Sequence, residues 1–125
     1  MTLRDVIATV DALKPNQYKE AQKIRWLSEC DANIYRTIVE VHELPEGMPA
    51  TYDGYTEADL DKNLIAAPPY DILYKHYLER MIDLYNKELT SYNNTNVLYN
   101  TALNAFANWY TNTHMPRSRA THFKL

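Results

Sequence analysis

Glycine is nearly missing from this chain: there are two, Gly47 and Gly54, in 125 residues. Two glycines are too few for a glycine-rich phosphate loop or the common nucleotide-binding turns, where several residues without a Cβ bring backbone N–H groups up to a phosphate. Cysteine occurs once, which excludes an intrachain disulfide framework and a cysteine-based zinc site and agrees with a reducing cytoplasm. Cys30 itself stands four residues after Trp26 in helical text, and reads as a small buried side chain rather than a nucleophile. Long apolar runs are also absent. The opening MTLRDVIATVDALK has its apolar stripe broken by Arg4, Asp5 and Asp11, so it is expected to be neither a secretion signal nor a membrane span.

The common catalytic motifs are missing as well, with neither G-x-S-x-G nor H-E-x-x-H present. His42, His76, His114 and His122 lie far apart, without the i, i+4 spacing that a helical metal pair prefers. Glu57, Asp59 and Asp61 lack the central glycine and terminal glutamate of an EF-hand loop, and read as a solvated acidic stretch. The expectation is a protein that is not an enzyme, with no cofactor, no metal and no membrane partner.

What is present is the text of one globular domain, 46% apolar and 23% charged. The net charge of −3 hides an asymmetry. From His42 to Ala66 there are six acids, Glu43, Glu46, Asp53, Glu57, Asp59 and Asp61, against Lys62 alone. After Glu88 no carboxylate side chain occurs, and Arg117, Arg119 and Lys124 make the last residues basic. Overall acidity argues against a protein whose main task is to grip DNA through its phosphates.

Hydrophobic periodicity predicts an all-α fold, a small bundle of about four helices, two of them long. Thr2 and Asp5 have capping-box spacing ahead of Leu3, Val6, Ile7, Val10 and Leu13, which places the first helix at Thr2 to Leu13. Lys14-Pro15 breaks it, and Asn16 is the expected cap of a long second helix that carries Ala21, Ile24, Leu27, Ile34, Ile38 and Val41. From about 42 to 69, Pro45, Pro49, Pro68 and Pro69 with both glycines mark an irregular acidic loop, with one short extended piece expected at Asn63–Ala67. So long a loop in a small domain is usually functional or ordered by a neighbour. The third helix is expected from Tyr70 to Tyr92 and the fourth from Thr95 to Asn112. The helical domain then covers 1–114, and 115–125 form an extended basic tail.

The fourth helix carries Asn96, Asn100, Asn104, Asn108 and Asn112 at intervals of four, beside Tyr85, Tyr92, Tyr99 and Phe106 at intervals of seven. Asparagine is a poor helix former, and an ordinary solvated face uses Glu, Lys or Gln more readily. Two explanations stand side by side: a charge-free contact between subunits carried by Asn96, Asn100, Asn104 and Asn108, or a neutral exposed face. The eleven tyrosines and two tryptophans suit core packing and protein interfaces better than base stacking, because the chain lacks a basic groove.

Three stretches, LKPNQYKEAQKIRWLSECDANIY, APPYDILYKHYLERMIDLYNKELTSYNN and LNAFANWYTNTHMPRS, together resemble the head-tail connector, or adaptor, proteins of tailed bacteriophages. The resemblance spans nearly the whole chain and rests on overall pattern rather than on catalytic residues. It implies a virion structural protein of the neck, assembled in the host cytoplasm. A small helical bundle with a projecting C-terminal segment would form a homo-oligomeric ring, commonly of twelve, between the portal protein and the next neck or tail-completion protein. Genomic DNA would pass through the lumen without sequence-specific binding. Under this resemblance Arg117, Arg119, Phe123 and Lys124 are expected to dock on the portal, since a tail too poor in apolar residues to fold alone gains order on a partner. The alternative is a small helical DNA-binding or regulatory phage protein, motivated by the short helices and the basic tail.

Overall fold

Helix α1, Leu3–Leu13, begins where the capping box places it. The Thr2 hydroxyl accepts from the Asp5 N–H at 3.2 Å, and the Asp5 carboxylate accepts from the Thr2 N–H at 3.3 Å. These bonds belong to a computed structural model of the chain that describes residues 1–116. Leu3, Val6, Ile7 and Val10 face the core.

Helix α2 spans Glu20–Ile34, so it starts later than the cap expected at Asn16. The Asn16 side chain is used locally: its oxygen accepts from the Tyr18 N–H, and its amide donates to the Asp11 carboxylate and the Lys14 carbonyl. An asparagine committed to its own turn cannot also cap a helix. The last turn of the long helix, Tyr35–Val39, is π-helical and buries Tyr35, Ile38 and Val39.

Helix α3 spans Ile72–Tyr85 and α4 spans Leu89–Thr113. The break between them lies about two turns earlier than expected, at residues 86–88. Glu88 N–H donates to the Asp83 carbonyl at 2.9 Å and Lys87 N–H to the Leu84 carbonyl at 3.1 Å. This is the Schellman pattern of helix termination, with Lys87 at φ +60 in the left-handed position that glycine usually fills. Helix α4 then starts at once, at Leu89.

Among the described residues the fold is all-α, a four-helix bundle with no strand. Helix α3 is central, packed between α1 and α2 on one side and α4 on the other. It buries Leu73, Tyr74, Tyr77, Leu78, Met81 and Ile82. Asp83, fully buried on the same helix, pairs with Lys14 and accepts from the Thr95 hydroxyl at 3.1 Å, which ties α3 to the end of α1 and to α4. The expected extended piece at Asn63–Ala67 amounts to a single bridge from Asn63 to Thr2, with the Leu64 N–H donating to the Met1 carbonyl. No helix among the described residues is long and apolar enough to cross a membrane.

Candidate interaction surface

Helix α4 turns Tyr99, Phe106 and Tyr110 inward and leaves an outer face that carries no charge over all 25 of its residues. Seven exposed positions run along the middle of that face: Thr90, Asn94, Val97, Thr101, Asn104, Asn108 and Thr111. Their spacings alternate four and three, so they keep to one line along the helix, and Val97 alone among them is apolar. Val97 is 62% exposed, and Leu98 beside this line is 49% exposed. At the start of the helix Leu89 is 67% exposed, close to the exposed Leu84 and Tyr85 at the end of α3.

The four asparagines expected at a subunit contact divide. Asn100, Asn104 and Asn108 are exposed on α4. Asn96 is half-buried, and its side-chain oxygen accepts from Arg80 Nη1 at 2.9 Å. The Arg80 guanidinium lies 4.9 Å from the ring centres of both Tyr77 and Tyr99, so Asn96 serves the α3–α4 packing as part of an inner polar contact. Spacing by four explains the division, because it advances 400° around the helix and carries the first asparagine toward the core side. The aromatic series at intervals of seven faces largely inward: Tyr99 and Phe106 are buried, while Tyr85 is exposed and stacks on Trp26 at 5.4 Å.

The expected tail residues Arg117, Arg119, Phe123 and Lys124 lie outside the described residues. The point from which the tail departs is fixed. Glu43 N–H donates to the Met115 carbonyl at 2.8 Å, and Pro116 bridges to His42. The chain therefore leaves the bundle beside the start of the acidic loop.

That loop is tied down by a group which sequence reasoning missed. Asp31, on α2, is fully buried. Its carboxylate accepts from the Tyr55 hydroxyl, from the Tyr74 hydroxyl at 2.5 Å and from the Ile65 N–H at 3.1 Å. Tyr74 accepts in turn from the Ala66 N–H at 2.8 Å. Two further bonds hold the loop to the same helix, from the Tyr52 hydroxyl to the Ser28 carbonyl and from the Tyr55 N–H to the Ser28 hydroxyl. Burial pushes the Asp31 carboxyl up to about 6, against the opposing pull of its three donors. The available signal was an acid at the spacing of Leu27, Ile34 and Ile38, inside the apolar stripe. Beside the clamp lies a cleft of about 290 Å³, lined mainly by Tyr35, Met48, Pro49, Tyr52, Leu64 and Ile65.

The remaining reactive groups have structural surroundings. Cys30 is buried with its sulfur 3.7 Å from the Tyr99 hydroxyl, and burial pushes the thiol well above its ordinary range. The Asp59 carboxylate accepts from the N–H of Thr56, the cap of the short turn at Glu57–Asp59, and Asp61 pairs with Arg4 at 2.8 Å. His76 stands 3.8 Å from Glu79, and burial followed by the Lys75 charge lowers its pKa. Among the described residues no three of His, Cys, Asp and Glu come close enough together to share a metal ion.

Comparisons of the chain with protein-family models, with curated proteins and with solved structures return no match.

Proposed function

We propose that this chain is a structural subunit of the neck of a tailed bacteriophage, built to sit in a ring between the portal and the next neck or tail-completion protein. Its mechanism is geometric. It extends the portal with a docking platform and leaves a lumen for genomic DNA. The observation that carries the self-association part of this proposal, as distinct from closure of the ring, is the charge-free outer face of α4. Amides and hydroxyls there exchange hydrogen bonds with a neighbour without the desolvation cost that ions incur. The resemblance set out above supplies the neck, the portal and the ring of about twelve.

Two further features support a scaffold over the DNA-binding alternative. Several bases are already engaged: Arg4 pairs with Asp61, Lys14 with Asp83, Lys23 with Asp11 and Lys75 with Glu79. Met115 and Pro116 are also held by backbone pairing to Glu43 and His42, which fixes where the described chain leaves the bundle. The test is the mass of the purified protein by light scattering, alone and mixed with the portal protein of the same genome. A ring-sized or portal-bound species that disappears when residues 115–125 are deleted is the expected result. A monomer that ignores the portal and binds DNA would overturn the proposal and favour the regulatory alternative.

A further inference from the structure

We infer that the outer seam of α4 closes on the same seam of a second copy, with the two helices antiparallel and crossing at Thr101. This rests on the proposal that α4 is a self-association surface, and adds the geometry and the symmetry of the contact.

Composition gives the first argument. Twelve of the 25 residues of α4 are Asn or Thr, and each costs the helix roughly 0.5 kcal/mol relative to alanine. Solvent alone gives no reason to accept that cost along an exposed face, since Glu, Lys or Gln would serve better there. A partner surface does, because hydroxyl and amide side chains both donate and accept hydrogen bonds across the contact.

Complementarity gives the second. A charged face needs a partner of opposite sign, whereas amides and hydroxyls both donate and accept and therefore match themselves. The outward faces of the other helices bear ions, such as Arg4 and Asp11 on α1 and Arg25 and Glu29 on α2. Against such a face the uncharged α4 would strip water from ions and return nothing. The surface of this chain that best suits α4 is α4.

Register gives the third argument. An antiparallel pair centred on Thr101 sets Asn94 opposite Asn108 of the second copy and Thr101 opposite itself, while Thr90 falls opposite Asn112. Val97 then meets Ala105 and the exposed Leu98 falls beside Asn104, so no charge enters the contact. The helix is about 37 Å long at ~1.5 Å per residue, so the contact extends along the bundle. The opposed orientation also sets the two helix dipoles favourably. Such a contact is isologous and is complete after two copies. A ring then takes its head-to-tail contacts from another surface, and the two proposals fail separately.

The experiment uses the full chain. Thr101→Cys is expected to form an intermolecular disulfide under mild oxidation. A mixture of Asn94→Cys and Asn108→Cys should cross-link between the two species, while Asn94→Cys alone does not. Thr101→Glu, at an exposed position that leaves the fold intact by circular dichroism, should shift the pair to monomer by light scattering, with the dissociation constant raised at least ~10-fold. A pair that survives Thr101→Glu, a cross-link between two copies of Asn94→Cys, or a chain that stays monomeric overturns the inference. A ring-sized species without the 94–108 cross-link overturns the seam and leaves the ring standing.

Discussion

The side chain on which most of the irregular loop depends is Asp31. It faces Tyr55 from the loop, Tyr74 from α3, the Ile65 N–H and its own neighbour Cys30. Among these no cation offsets its charge, so desolvation dominates and holds the folded pKa at about 6, above the ordinary carboxylate value of ~3.9. A group raised on folding contributes stability that is fully present below the unfolded pKa and is lost as pH rises through the folded one. The window is therefore about pH 4 to about pH 6, and the shift corresponds to about 3 kcal/mol. Asp31→Asn removes the titration while keeping the shape, although one tyrosine hydroxyl loses its acceptor and the variant is less stable at low pH. The gap between wild type and variant in urea unfolding should narrow by about 3 kcal/mol between about pH 4 and about pH 7.5. A gap independent of pH would show that the carboxyl titrates alike in the folded and unfolded chains.

At the level of elements, the boundary between α3 and α4 is held in a conformation its residue does not favour. Lys87 sits at φ +60, where a Cβ crowds the following carbonyl and costs roughly 1–2 kcal/mol. Lys87→Gly should raise the stability by about 1 kcal/mol, net of the greater backbone freedom of the unfolded chain. Lys87→Ala should give no such gain, and thermal unfolding of the two variants together checks the assignment. This position also shows why some boundaries were legible in sequence and others were not. The start of α1 could be read because both partners of its capping box lie within three residues of each other. The start of α2 could not, because Asn16 makes its bonds within its own turn. The end of α3 lacked its usual mark, with lysine where glycine would announce a Schellman stop. The Asp31 clamp joins residues 24 and 43 positions apart, beyond the reach of any local pattern. The asparagine face was legible as composition. Its division into an inner Asn96 and outer Asn100, Asn104 and Asn108 needed the rotation of the helix about its axis.

Across the whole molecule, charge is distributed by element. The loop is acidic, α1 and α2 carry mixed ions, and α4 carries none. Ionic strength therefore separates the kinds of contact this chain can make. Contacts built from ion pairs, and binding to nucleic acid through phosphates, both weaken as salt rises, the second steeply because counterions are released. A seam of threonine, asparagine and valine has no counterions to release, and screening has nothing to act on. Self-association through α4 should hold its dissociation constant within about twofold between ~0.05 M and ~0.5 M sodium chloride, as read by sedimentation equilibrium. Docking of the basic tail on a partner should weaken over the same range, because Arg117, Arg119 and Lys124 supply its charge. If self-association instead collapses with salt, the contact belongs to the ionic faces of α1 and α2, and the neutral face of α4 is merely exposed. If both contacts resist salt, the tail docks through Phe123 rather than through its bases.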